Sequence, residues 1–172
     1  MSDAEGSNRT NTGAGVVIEE TTVRASIAVR APIEHAFDVF TAGMSSWWPR
    51  SHHIGTTAMV ATIVEPRVGG RWYELGDDGS ECDWGMVLAW GPPHHLALSW
   101  HLDGDYRYDP DARRSSRVDI RFRAQADGTT LVEVEHSGLD RHGPTWRRLR
   151  DDIASTGGWP GMLRLFAGVA PS

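Results

Sequence analysis

One cysteine, Cys82, leaves nothing to pair with, so an internal disulfide and any cysteine metal motif are excluded. It has no basic or histidine neighbour that would activate it, and it reads as inert. No apolar run approaches the length of a membrane span, and the N-terminus lacks a signal-peptide pattern. A cytoplasmic protein is therefore expected. Basic charge is in deficit: 17 Lys and Arg against 23 Asp and Glu give a formal net charge of −6. Such a surface excludes nucleic acid or an anionic membrane as the main partner.

Other signatures are missing too. The aspartates between Asp103 and Ser115 lack the central glycine and final glutamate of a calcium loop. No nucleophile elbow occurs. Gly69-Gly70 leads into a strand rather than a helix, so it is a turn and not a phosphate cradle. Two histidine pairs, His52-His53 and His94-His95, invite a metal reading. Adjacent strand residues point to opposite faces, so neither pair chelates as a pair. Loop geometry could rescue His52-His53, but solvated loop histidines are the expectation. Neither a metal nor any other cofactor is expected. Arg113, Arg114 and Arg117 form a small basic patch, read as a solvated loop.

The chain's 172 residues suit one domain with a single substantial core. Residues 1–18 read as a disordered tail, being Ser-, Asn-, Thr- and Gly-rich over the first sixteen, and residues 19–170 as the domain. Val23, Ala25, Ile27 and Val29 alternate with polar residues as in a half-buried strand. Pro32 fits the first position of a helix carrying Ile33, Ala36, Phe37 and Phe40 on one face. A second short helix is expected from Met44 to Trp48, then a polar loop from Arg50 to Thr57. Strands follow at Met59–Val64, Arg71–Leu75, Cys82–Trp90, His95–Leu102, Arg117–Ala124 and Thr130–His136. Turn signals such as Gly76-Asp77-Asp78-Gly79 and Asp127-Gly128 separate them.

The stretch from Pro144 to Val169 is the long helical pattern. Trp146, Leu149 and Ile153 form one apolar stripe, and Trp159, Met162, Leu163 and Phe166 a second, rotated one. Gly157, Gly158 and Pro160 at the junction predict a kink, or a short helix followed by another near Trp159. Trp159 either fills core there or lines a pocket that the kink opens. Consecutive strands joined by tight turns make an antiparallel sheet, and a helix behind it must bury its apolar stripe there. The class is α+β, with seven strands.

This arrangement resembles the helix-grip fold of the START-like superfamily, and more closely the branch of the activator of the heat-shock-protein-90 ATPase, often grouped with polyketide cyclases. The run from Ile27 to Phe37 carries the resemblance, with Trp47-Trp48, Pro66, Gly69 to Trp72, Gly85, Val87 and Pro92-Pro93. So do Leu96 to Trp100, Thr130 to Gly138, Gly158-Trp159, Leu163 and Leu165. The resemblance implies a curved seven-stranded sheet around a long C-terminal helix, with two short helices after the first strand. It places Trp47, Trp48, Trp72, Trp84, Trp100 and Trp159 at cavity-facing or mouth-lining elements.

Together with Glu74, His136, Met162 and Phe166, these tryptophans are the candidate ligand-binding residues. Full packing of the rings with no cavity is the alternative. His136 shares a face with Val132 and Val134, and is either a ligand contact or general base, or a core histidine satisfied by a backbone partner. Three functions stand in order. The first is binding of a small apolar or aromatic molecule. The second is a cyclase- or hydratase-like enzyme using His136 and Glu74, and the third a co-chaperone-type interaction module. The chaperone-binding region that precedes this domain in the named activator has no counterpart here, which counts against the third. A monomer or homodimer is expected.

Overall fold

The computed structural model describes residues 15–171. The strands are β1 (Gly15–Glu19), β2 (Thr22–Val29), β3 (Met59–Val64), β4 (Arg71–Gly76), β5 (Glu81–Gly91), β6 (His95–Trp100), β7 (Ser116–Ala124) and β8 (Thr130–Ser137). The α-helices are α1 (Ile33–Phe40), α2 (Trp146–Ala154) and α3 (Trp159–Val169). All strands join one antiparallel sheet in the order β1-β2-β8-β7-β6-β5-β4-β3. The helix-grip α+β class expected from the sequence is thus the observed one, with eight strands in place of seven.

The extra strand corrects the expected tail. Residues 1–14 of that tail lie outside the described residues, but Gly15–Glu19 pairs with β2 in register, Val17 opposite Arg24. Every β1 residue is exposed, so burial gives no signal there. Backbone pairing and the β-branched Val16, Val17 and Ile18 hold it instead, and Arg24 bridges Glu19 and Glu135 across the sheet.

Inward alternation is as read along β2, β7 and β8: Val23, Ala25, Ile27 and Val29 are buried, as are Val118, Ile120, Phe122, Val132 and Val134. Register breaks lie between Met59 and Ala61, Trp72 and Tyr73, and Val87 and Ala89. Such bulges bend strands, which lets the sheet curl around its helices. Pro32 caps α1 one residue before the expected position. Phe37 and Phe40 then meet Phe122 edge-on. The expected second helix is a single 3-10 turn, Met44–Ser46.

The C-terminal pattern resolves as two helices rather than one kinked rod, broken over residues 155–158. Gly158 makes the break possible: a Cβ there would stand 2.2 Å from the carbonyl oxygen of Ile153. Leu149 and Ile153 of α2, and Trp159, Met162, Leu163 and Phe166 of α3, bury against the sheet. Among the described residues no helix is long and apolar enough to cross a membrane.

Candidate functional site: a tryptophan-walled cavity

A cavity of about 370 Å³ opens where the helix break faces the sheet. Its walls come from four directions. Trp84 of β5 and Trp100 of β6 supply the sheet side, and Trp48 the end of the 3-10 segment. Ile153, Gly157, Gly158 and Met162 supply the helical side, and the loops carrying Ser51–Ile54 and Leu102–Tyr106 frame the mouth. Two glycines with no side chains at the helix break leave the opening that a continuous amphipathic helix would fill.

Each wall is held by identifiable bonds. The indole N–H of Trp48 donates to the His52 carbonyl at 3.0 Å, and that of Trp100 to the Leu102 carbonyl at 2.9 Å. The Trp84 indole donates to Glu74 Oε1 at 2.9 Å. Trp48 and Trp84 lie 5.1 Å apart, centroid to centroid, and are tilted by 35°. With their N–H groups satisfied by the protein, these three rings offer mainly carbon to the cavity.

Glu74 is 1% exposed and sits behind the wall rather than in it. Besides Trp84, its carboxylate accepts from the backbone N–H of Ile54 at 2.6 Å and of Gly55 at 3.2 Å. One buried acceptor thereby positions both a cavity ring and the loop over the mouth. Removing such an acceptor orphans all three donors.

Two latches tie the mouth loops to the helices. His52 Nε2 donates to the Gly157 carbonyl at 2.7 Å, while the Ser51 hydroxyl donates to His52 Nδ1 at 3.1 Å. On the other side the Tyr106 hydroxyl donates to Asp152 Oδ2 at 3.3 Å. Tyr106 adopts a left-handed φ of 57°, an uncommon state for a bulky residue. Burial, and after it the Asp152 carboxylate, push the Tyr106 phenol up to about 12. Arg148 binds the Gly104 carbonyl and Asp105, which anchors the same loop to α2.

Of the ten residues expected from the sequence, Trp48, Trp84, Trp100 and Met162 line this cavity. Trp47, Trp72, Glu74, His136, Trp159 and Phe166 do not; they pack behind its lining. Trp159 takes the core alternative, and its indole donates to His136 Nδ1 at 3.1 Å. His136, wholly buried, is therefore not on the cavity wall: the rings of Trp100 and Trp159 pack against it.

Its partners are side chains rather than the expected backbone group. An indole N–H can only donate, so His136 Nδ1 must accept and Nε2 carries the proton. Nε2 then donates to the Ser116 hydroxyl at 2.7 Å, which donates onward to His142 Nε2 at 2.7 Å. Burial, then neighbouring His142, hold His136 down to about 3, and burial holds His142 to about 4. This satisfied neutral chain is structural.

The sequence reading missed His52, His53, Tyr106 and Asp152 at the mouth. The histidine pair was visible, but only the fold turns its loop inward. Tyr106 and Asp152 carried no sequence signal. The basic patch is a set of local ion pairs, Arg113 with Asp111 and Arg114 with Asp109. A second depression, on the outer face over β1, β2, β7 and β8, is ringed by Arg24, Asp119, Arg121, Glu133 and Glu135. Its charged lining makes it a poorer small-molecule site than the tryptophan cavity.

A curled antiparallel sheet, gripping C-terminal helices across an aromatic cavity, defines a helix-grip protein of the START-like superfamily. The chain matches the family described as activator of Hsp90 ATPase homolog 1-like protein over residues 30–169, and it belongs to that family. Among solved structures it is similar to the anthrahydroquino-γ-pyrone synthase Txn09, at 39% identity and TM-score 0.62, covering 88% of this chain and 97% of that one. It is also similar to the self-sacrificing resistance protein CalC from Micromonospora echinospora, at 31% identity and TM-score 0.63, covering 87% and 93%. Protein MLL2253 from Mesorhizobium loti, at 23% identity and TM-score 0.60 over 86% and 94%, shares the fold. No curated protein matches the chain.

Proposed function

We propose that this protein binds a small apolar or aromatic molecule in the cavity between the sheet and the broken C-terminal helix. The observation that carries this reading is the open 370 Å³ space faced by Trp48, Trp84 and Trp100. Its size lies in the range of ordinary small-molecule pockets, and its lining is apolar with a few polar groups at the mouth. Flat indole faces suit a flat aromatic ligand.

The test is a thermal-shift and tryptophan-fluorescence screen with polycyclic aromatics, flavonoids, fatty acids and sterols. A ligand at a hundredfold excess over its dissociation constant should add about 2.7 kcal/mol of stability by mass action. Quenching should be lost when Trp84 or Trp100 is replaced. Silence across the panel would refute the reading.

An enzyme acting on such a molecule is the second reading. The similarity to a synthase at 39% identity supports it, as do titratable side chains at the cavity mouth. Turnover of a bound aromatic precursor, followed by chromatography, separates an enzyme from a carrier.

A further inference from the structure

His53 is built into the cavity in a way its neighbour His52 is not. His52 spends both ring nitrogens on the latch to Gly157 and on Ser51. His53 lines the cavity with 28% of its side chain exposed, yet its Nδ1 is buried and has no hydrogen-bond partner among the described residues. That nitrogen stands 3.8 Å from Glu74 Oε2. Among the described residues Oε2 accepts only the long 3.2 Å bond from Gly55 N–H, so it retains capacity for another donor. The other ring nitrogen, Nε2, makes no hydrogen bond among the described residues and is not among the buried unpartnered atoms.

Resting on the ligand-binding reading above, we propose that His53 and Glu74 form a proton-accepting pair and that the ligand is a phenol or enol. Glu74 is the positioning residue. It holds the proton on Nδ1, which leaves the Nε2 lone pair free to face the bound molecule. The 3.8 Å separation closes to a hydrogen bond with about 1 Å of ring movement, and such bonds are commonly long in the unliganded state. On contact the ligand's O–H bond breaks and its electron pair stays on oxygen. The proton joins Nε2, and the imidazolium is paired with the Glu74 carboxylate behind it. No oxidant, metal or second reagent is required.

Three indole faces hold the rings, and the pair meets one acidic hydroxyl. The other titratable groups at the cavity do not compete for that role. His52 is engaged, the Tyr106 phenol holds its proton, and Asp152 accepts from Tyr106 at the far side of the mouth. Cys82 lies beside Glu74, and burial raises its thiol.

The probe is alizarin, a hydroxylated anthraquinone whose phenolate absorbs at longer wavelength, with unsubstituted 9,10-anthraquinone as control. Binding is followed by tryptophan quenching, and the bound probe's ionisation by visible absorbance across pH. The wild-type protein should lower the phenol's apparent pKa by about one unit or more, because a cation at its oxygen favours the anion. Read at probe concentrations that saturate each variant by tryptophan quenching, His53→Gln and Glu74→Gln should return it to the free value. Melting curves report folding, and if Glu74→Gln fails to fold then His53→Gln alone decides. Binding of alizarin with the same pKa in wild type and His53→Gln overturns the pair but leaves the cavity reading intact. Binding of anthraquinone but not alizarin does the same. Failure of both probes to quench the tryptophans overturns the two together.

Discussion

The two histidine sites on the inner side of the sheet make an instructive pair. Around His136 both ring nitrogens are matched: Trp159 donates in, Ser116 accepts out, and the wholly buried ring is not part of the tryptophan cavity's lining. Around His53 one nitrogen is buried without a partner among the described residues, and the ring borders open space. The same kinds of residue, tryptophan and histidine beside a buried hydrogen-bonding group, build core in one place and a receptive surface in the other. Around His136 the hydrogen bonds close on themselves, and around His53 one is left open beside a cavity. The open bond alone does not make a site, since the buried Trp72 indole N–H also lacks a partner among the described residues and lies outside the cavity lining.

The largest test of this contrast is Trp159→Ala at the closed end. It should cost about 3–5 kcal/mol, since it removes a fully packed ring and the donor to His136. Denaturant midpoints against the parent measure it, and a loss under about 1 kcal/mol would place Trp159 with the cavity instead.

Acid should probe the closed end next. The unfolded chain protonates a histidine at about 6.5, whereas folded His136 titrates at about 3 and His142 at about 4. Between those values the unfolded state binds more protons, so stability falls as pH falls. His136 alone should contribute a loss of about 2 kcal/mol from pH 6.5 to 4.5, the slope rising from half to nearly the full value of about 1.4 kcal/mol per unit. Urea titrations of parent and His136→Gln across that window should differ by this slope. Parallel lines would break the assignment.

Glu74→Gln lies on the boundary between the two regions. It keeps an oxygen for one or two donors but turns an amide toward the rest, so a cost of about 1–3 kcal/mol is expected. Hydrogen exchange should localise the change to Ile54, Gly55 and the Trp84 indole. Uniform acceleration across the sheet would instead make Glu74 a general core group.

The smallest effect belongs at the mouth. Tyr106→Phe loses one 3.3 Å exposed bond to Asp152, and stability should move by less than about 0.5 kcal/mol. Ligand association rates, read by stopped-flow fluorescence, should change more than the melting temperature does. A large stability loss would make the latch part of the core.

Much of this was legible in the chain. Period-two alternation named the inward faces of β2, β7 and β8, because a pleated strand gives sequence neighbours opposite environments whatever the rest of the fold does. Gly157, Gly158 and Pro160 announced the helix break through backbone preferences that are local. The ordered series of short motifs from Ile27 to Leu165 carried the family, since it encodes the order of elements. β1 escaped because its side chains are exposed and its stability comes from pairing with β2, which composition does not report.

The site divides the same way. The supply of tryptophan and the presence of Glu74 and His136 were readable, and so was the chance of a cavity. Which rings line it was not, because Trp84 and Trp159 are equally buried and differ only in what stands on their far side. His53 faces Glu74 across 21 residues of chain, and Tyr106 meets Asp152 across 46. Local preference and periodicity act within an element, so the sequence by itself determined seven of the eight strands, the helix break and the family. The open end, the closed end and the histidine left without a partner arise from contacts between elements, which only the tertiary structure decided.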